Sequence, residues 1–191
     1  MRTTVYFIRY AQSDGSVKNE MTRPLTAQGM ADRMTAVEYL KDVPVSAVCS
    51  SPYLRAVTTV QPLADRLGLP VVPVWDFREG ETGDTAGIAD LRQRQWHDRT
   101  FAAPGGESFA QVQRRVVQAL LALVDQYPGG TVAVGCHGMM LSTLVQYFRP
   151  EFDYAAYQKV RGLMPWIVEV VFEGTDFCSL RSIDPFTGLE I

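Results

Sequence analysis

Short β-rich runs alternate with segments of helical period along this 191-residue chain. Runs rich in Val, Ile and Thr at residues 3–9, 47–50, 71–74 and 131–136 predict four strands. Between these runs the apolar residues recur at spacings of three and four, which predicts helices with one buried face. Strands that alternate with helices pair in parallel, and the helices cover both faces of the sheet. We therefore predict an α/β fold of three layers, α/β/α, with a mostly parallel sheet.

Three of the predicted helices begin at recognisable capping residues. Thr26 precedes the first helix, and Ser51 precedes the second, with Pro52 at its first helical position. Ser108 opens the third with the pattern of a capping box. The buried stripes are predicted to contain Met30, Met34, Val37 and Leu40 in the first helix and Phe109, Val112, Val116, Leu120 and Leu123 in the third.

The last part of the chain follows a different pattern. Residues 166–172 and 177–183 are β-rich and flank a short turn, which predicts an antiparallel hairpin at one edge of the sheet. Within residues 78–106 the apolar residues do not recur at regular spacings, except around a short helix predicted at 88–96. So long a segment with little regular structure predicts a functional lid or insertion. Because no repeat or linker divides the sequence, we predict one domain over residues 1–191.

Composition restricts the class of partner. The formal net charge is −3, so no overall field attracts nucleic acid or an anionic membrane. The sequence has no apolar run long enough for a signal peptide or a membrane span. Cys49, Cys136 and Cys178 are widely spaced beside apolar runs, which predicts buried free thiols and a cytoplasmic location. No feature specifies an oligomeric state.

Polar residues follow three of the predicted strands. Arg9 and Tyr10 follow the first, Arg55 lies in the first helical turn after the second, and His137-Gly138 follow the fourth. Ligands of open α/β sheets bind beyond the carboxyl ends of the strands, so these groups are expected to meet there. Two guanidinium groups and an imidazole suit a phosphate group. Taken singly, the arginines also fit surface ion pairs, and the histidine also fits a core position.

Other chemistries find less support. A cysteine phosphatase needs an arginine six residues after its cysteine, and Ser142 stands there after Cys136. The histidines and cysteines lack metal-ligand spacing, and no Gly-x-Ser-x-Gly elbow is present. The basic and aromatic run at 92–99 fits a polar helix face better than a lid that touches an anionic substrate.

From residue 3 to about residue 145 the motifs follow an order that resembles the histidine phosphatase superfamily, which includes the cofactor-dependent phosphoglycerate mutases. The similar positions are Arg9-Tyr10-Ala11 for the family's Arg-His-Gly, Leu25, Thr26 and Gly29, then Ser50, Ser51, Arg55, Ala56 and Thr59, then Glu79, Pro104-Gly105-Gly106-Glu107-Ser108 and His137-Gly138. The resemblance implies a fold of the phosphoglycerate mutase type.

The resemblance also implies roles for the residues. Arg9, Arg55, His137 and Gly138 would bind the phosphoryl group, and Glu79 would donate a proton to the leaving alcohol, without a metal or a cofactor. The partner would be a phosphorylated small molecule or inorganic phosphate. On its own residues, the acidic segment that contains Glu79 fits a solvated loop equally well.

Tyr10 departs from the family pattern, because it stands where the resemblance implies the nucleophilic histidine. A phenol is almost fully protonated at neutral pH and is a poor nucleophile, so Tyr10 fits a packing aromatic better than a phosphoryl acceptor. We predict a catalytically impaired pseudophosphatase that binds phosphorylated ligands. The alternative is an active, metal-independent phosphomonoesterase or a mutase-like phosphatase that acts on a small phosphorylated metabolite.

Overall fold

A computed structural model describes residues 1–191, which form seven strands and six α-helices. The strands are β1 (Arg2–Arg9), β2 (Ala47–Ser50), β3 (Val71–Pro73), β4 (Thr131–Cys136), β5 (Ile167–Glu173), β6 (Asp176–Asp184) and β7 (Leu189–Glu190). The helices are α1 (Ala27–Tyr39), α2 (Leu54–Leu67), α3 (Leu91–His97), α4 (Phe109–Gln126), α5 (Gly138–Phe148) and α6 (Tyr154–Val160). None of these helices combines the length and the apolar character that a membrane span requires.

All seven strands form one sheet in the order β3-β2-β4-β1-β5-β6-β7. The first four strands of that order are parallel, and β5, β6 and β7 are antiparallel to their neighbours. The predicted α/β class and antiparallel edge are therefore confirmed. The hairpin consists of β5 and β6, and it is extended by β7, whose two residues are too few to leave a sequence pattern.

The sheet is covered on both faces, as the alternating strands and helices predicted. Val5 and Phe7 of β1 belong to a core of 24 buried residues that includes the inner faces of α4 and α5. Tyr6 and Ile8, which alternate with them, belong to a second core of 13 buried residues shared with α1 and α2. The structure thus has the predicted three layers.

Helix α1 begins as predicted and buries Val37 and Leu40, but the other two residues of its predicted stripe are not buried. The Thr26 hydroxyl accepts a hydrogen bond from the amide of Gly29 at 3.0 Å, which confirms the cap. The predicted burial of Met30 and Met34 is wrong, since both side chains are exposed. The inner positions lie one residue earlier, where Gly29 packs against the chain and Arg33 donates to the carbonyl of Thr58 at 2.9 Å. A glycine and an arginine carry no apolar signal, so the pattern favoured the methionines.

Helix α2 begins later than predicted. Tyr53 is its N-terminal flanking residue and makes no side-chain cap, so the prediction of Ser51 as a cap with Pro52 in the first turn is wrong. The Ser51 hydroxyl accepts a hydrogen bond from the amide of Tyr53 at 3.3 Å, and it lies closer, at 2.7 Å, to Nε2 of His137.

The predicted burial of Cys178 is also wrong, because this residue is exposed on strand β6. The capping box at Ser108 is confirmed.

Candidate functional site

A polar cavity of about 460 Å³ contains several of the residues that the strand ends predicted. Its lining residues are Tyr10, Glu20, Arg23, Tyr53, Arg55, Glu79, Gly80, Glu81, Thr82, Gly83, Arg92 and Gly105. A larger, mostly apolar cavity of about 580 Å³ lies against α6 and β6 and contains none of the predicted residues. The polar cavity is the candidate site because it combines cationic and anionic side chains at the carboxyl ends of β1 and β2.

The ring of Tyr10 is the point at which the predicted residues meet. The guanidinium carbon of Arg55 lies 4.8 Å from the centre of this ring, and that of Arg9 lies 5.8 Å from it. The ring of His137 has its centre 5.4 Å from that of Tyr10. Residues from three separate strand ends are therefore brought together, as predicted, and a half-buried aromatic ring lies among them.

Arg55 is buried and is engaged by a residue that the motifs did not indicate. Its Nη1 atom donates to the backbone carbonyl of Glu20 at 2.6 Å, and its Nη2 atom donates to Oε2 of the same residue at 2.8 Å. The Nε atom of Arg55 is buried and has no hydrogen-bond partner. One edge of this guanidinium is thus occupied from within the protein.

Arg9 directs its Nη1 atom towards the end of helix α6. This atom donates to the carbonyls of Val160, Arg161 and Leu163 at 3.2, 2.8 and 3.1 Å. The Nε atom lies beside Gly138, where an added Cβ would be only 3.0 Å away, so a glycine permits the close approach. Arg9 therefore holds the chain after α6 and keeps Nε, which is buried without a partner, near Tyr10.

His137 is fully buried at the start of α5. Burial lowers the pKa of His137 to about 3, so the ring is neutral at neutral pH. Its Nε2 atom lies 2.7 Å from the Ser51 hydroxyl, which already accepts from the amide of Tyr53. Because a serine oxygen has two lone pairs, this hydroxyl can either donate to Nε2 or accept from it, and the other ring nitrogen, Nδ1, is buried without a hydrogen-bond partner.

Three buried nitrogen atoms of the residues around Tyr10 have no hydrogen-bond partner. They are Nε of Arg9, Nε of Arg55 and Nδ1 of His137. A buried donor without a partner costs about 1–3 kcal/mol, so such a group is expected to have a use. An anion with several acceptor oxygens matches the two guanidinium donors of this set.

Glu79 lies against the first turn of α5. Its Oε1 atom accepts from the amides of Gly80 and Met140 at 2.9 and 3.0 Å, and its Oε2 atom accepts from that of Met139 at 3.0 Å. Burial alone would raise the pKa of the Glu79 carboxyl, but the neighbouring His137, the guanidinium of Arg92 and the amides of Met139 and Gly80 together lower it below its ordinary value. The carboxyl is therefore ionised at neutral pH in the ligand-free protein.

Several lining residues left little signal in the sequence. Glu20 and Arg23 lie in a polar loop before α1, where Nη2 of Arg23 is 2.5 Å from Oε1 of Glu20. Arg92 belongs to the basic and aromatic run at 92–99, for which the sequence favoured a polar helix face. In the structure Arg92 lines the cavity, whereas Arg94 and Arg99 of the same run are exposed. Its Nη1 atom donates to Gln95 at 2.9 Å.

The family model of the histidine phosphatase superfamily (branch 1) matches residues 5–182 of the chain. The chain belongs to this superfamily. A superfamily relative is the uncharacterized phosphatase PhoE of Bacillus subtilis (strain 168), which is 26% identical over 148 residues, covering 75% of this chain and 76% of that protein. A 2,3-bisphosphoglycerate-dependent phosphoglycerate mutase from Bartonella bacilliformis is 26% identical over 166 residues, covering 76% and 81% of the two chains. The chain spans only 30% of the bifunctional protein from Mycobacterium tuberculosis that it matches at 33% identity over 111 residues.

Solved structures of this superfamily type have the same fold. YhfR of Bacillus stearothermophilus superposes with a TM-score of 0.74 at 26% identity, covering 92% of this chain and 94% of that one. A phosphoserine phosphatase variant from Entamoeba histolytica, solved with phosphoserine, gives 0.74 at 20% identity, with 93% and 96% covered. A mycobacterial glucosyl-3-phosphoglycerate phosphatase with inorganic phosphate gives 0.68 at 23% identity, with 87% and 88% covered.

Proposed function

We propose that this protein binds inorganic phosphate, or the phosphate group of a small phosphorylated molecule, in the cavity lined by Tyr10 and Arg55, and that it turns such ligands over poorly. One observation carries the proposal. The ring of Tyr10 lies within 6 Å of the guanidinium groups of Arg9 and Arg55 and of the ring of His137, and each of these three residues has a buried nitrogen atom without a hydrogen-bond partner.

In this proposal Tyr10 has the place of the family's phosphoryl-accepting histidine, as the segment Arg9-Tyr10-Ala11 implies. A protonated phenol has little nucleophilic character, and a tyrosine reaches farther from the main chain than a histidine. The ring therefore keeps a phosphate group at a distance from any attacking atom. Binding survives because the guanidinium groups of Arg9 and Arg55 lie at 5.8 and 4.8 Å from the centre of the ring and are not replaced by it.

The other residues have binding and proton-transfer roles in the same proposal. Arg9, Arg55 and Nδ1 of His137 donate to the phosphoryl oxygens, next to Gly138 at the start of α5. Glu79 is the proton donor to a leaving alcohol only after it has taken up a proton, because it is ionised in the free protein. Residues 78–106 act as a lid, an assignment supported by Thr82, Gly83 and Gly105 in the cavity wall.

A second candidate is an active, metal-independent phosphomonoesterase. Phosphatases and mutases among the relatives favour it, together with a carboxylate in the cavity. In such a reaction the Tyr10 hydroxyl would lose its proton to solvent and its oxygen would bond to phosphorus as the ester bond breaks, while the alcohol would leave with a proton that Glu79 has taken up. Water would then attack the phosphorus of the phosphotyrosyl group, which releases phosphate and returns a proton to the Tyr10 oxygen.

Calorimetric titration with inorganic phosphate tests the binding proposal. Arg55→Lys is expected to bind phosphate at least about tenfold more weakly, since an ammonium group cannot reproduce the guanidinium fork. Arg94→Lys is the control, because Arg94 is exposed on α3 and does not line the cavity. Equal affinities for the unmodified chain and Arg55→Lys, or no phosphate binding at all, would contradict the proposal.

A further inference from the structure

The carboxylate of Glu20 bridges two arginines of the cavity wall. Its Oε2 atom is 2.8 Å from Nη2 of Arg55, and its Oε1 atom is 2.5 Å from Nη2 of Arg23. The backbone carbonyl of Glu20 accepts from Nη1 of Arg55 at 2.6 Å. One residue thus supplies two acceptors to the same guanidinium, and its carboxylate has the position and charge of a bound anion.

The two partners of this ion pair are unequally exposed. The side chain of Arg55 is 1% exposed, whereas that of Glu20 is 50% exposed. A buried guanidinium needs an acceptor in every state of the protein, but a half-exposed carboxylate can turn into water at little cost. An anion that bonds to Nη2 of Arg55 would therefore have to replace the Glu20 carboxylate, and Arg55 would stay in place.

The main chain at Glu20 is held more firmly than its side chain. The amide of Leu54, the first residue of α2, donates to the carbonyl of the adjacent Met21 at 2.9 Å. The amide of Met21 in turn donates to the side chain of Asn19 at 3.0 Å. The exchange accordingly needs a rotation of one side chain, while the Glu20 carbonyl stays on Nη1 of Arg55.

We propose that Glu20 is an internal competitor for Arg55 that makes the site selective for dianions. This inference rests on the proposed phosphate site. A tethered carboxylate competes at a high effective concentration, so a free anion with a single charge gains nothing by replacing it. A phosphate monoester, whose second pKa is about 6, carries a second charge at neutral pH, as inorganic phosphate does at mildly alkaline pH, and either dianion forms more charge-assisted bonds with the same donors. Phosphodiesters and simple carboxylates are then excluded.

The test compares inorganic phosphate with dimethyl phosphate, a monoanion, by calorimetry at fixed ionic strength. The variants are Glu20→Gln and, as the matched control, Glu81→Gln. Glu81 lines the same cavity and is 52% exposed, but it lies 3.6 Å from Arg78 and does not bind Arg55. Glu20→Gln is expected to bind phosphate about tenfold more tightly and to acquire measurable binding of dimethyl phosphate, while Glu81→Gln changes either affinity less than about threefold.

A double-mutant cycle separates competition from a general charge effect. In an Arg55→Lys background, replacing Glu20 by glutamine is expected to give less than about a third of the gain that it gives with Arg55 present. An equal gain in that background, an equal gain from Glu81→Gln, or weaker binding by Glu20→Gln would overturn the inference. If Arg55→Lys alone does not weaken phosphate binding, the proposed function fails instead. Circular dichroism verifies the fold of each variant, and Arg55→Gln replaces Arg55→Lys if the latter unfolds.

Discussion

The hydroxyl oxygen of Ser51 lies 2.7 Å from Nε2 of His137, and both side chains are fully buried. The contact joins the segment that follows β2 to the segment that follows β4, 86 residues farther along the chain. It fixes the orientation of the imidazole and leaves Nδ1 without a hydrogen-bond partner. The position of His137, which lies behind Tyr10 and does not itself line the cavity, therefore depends on a second buried residue outside the cavity wall.

Replacing Ser51 by alanine removes the partner of a buried ring nitrogen. We expect Ser51→Ala to lower the free energy of unfolding by about 1–3 kcal/mol, the cost of an unpaired buried polar group. Ser142→Ala is the control, because its buried hydroxyl bonds only to the Gly138 carbonyl of its own helix and such bonds stabilise little. Urea unfolding measures both variants, and equal losses would show that the Ser51 contact has no special role.

The neutral state of His137 makes the stability of the protein dependent on pH. Burial lowers the pKa of His137 to about 3 in the folded chain, whereas the ordinary value is 6.5. Between these two pH values the unfolded chain therefore binds a proton on His137 and the folded chain does not. The free energy of unfolding is then fully maintained above pH 6.5 and falls as the pH decreases towards 3, by up to about 1.4 kcal/mol per pH unit.

Unfolding by urea between pH 5 and 7.5 checks this dependence. His137→Gln is expected to lose stability less steeply below pH 6.5 than the unmodified chain. His97→Gln, which removes the exposed histidine of α3, is expected to retain the full slope. Parallel curves for all three proteins would contradict the assignment of this slope to His137.

Gly29 is required by a close contact between backbones. A Cβ added there would lie 2.1 Å from the carbonyl oxygen of Gln12, the same oxygen that accepts from the amide of Thr26 at 3.0 Å. Because a backbone carbonyl cannot give way, Gly29→Ala is expected to cost about 3 kcal/mol or more of stability. Gly15→Ala, with no atom within 4 Å of its added Cβ, should leave the melting temperature nearly unchanged. Similar melting temperatures for both variants would refute this reading of the contact.

The buried parts of the fold were predictable from local pattern. The predicted runs at 47–50 and 131–136 coincide with β2 and β4, because central parallel strands are continuous apolar segments between turns. The capping box at Ser108 located α4 for a similar local reason. The burial of Val37 and Leu40 was predictable, but the inner face of the first half of α1 was not, since it depends on where Gly29 meets the chain around Gln12.

The candidate site was predictable where topology determines it. Arg9, Arg55 and His137 follow strand ends, and the parallel order of β1, β2 and β4 brings those ends together. Glu20 was not predictable, because a half-exposed glutamate in a polar loop has no period or motif and only its contact with Arg55 distinguishes it. The catalytic and binding roles of these residues stay predictions.

Hydrolysis of 4-nitrophenyl phosphate, measured with a chelator from pH 5 to 8, tests most directly whether Tyr10 limits turnover. The proteins to compare are the unmodified chain, Tyr10→His and Tyr10→Phe, with the fold of each verified by circular dichroism. We predict that Tyr10→His hydrolyses the ester at least about 100-fold faster than the unmodified chain, and that Tyr10→Phe matches the unmodified chain. Rapid hydrolysis by the unmodified chain that is lost in Tyr10→Phe would show that Tyr10 is the nucleophile and would contradict the proposal of an impaired phosphatase.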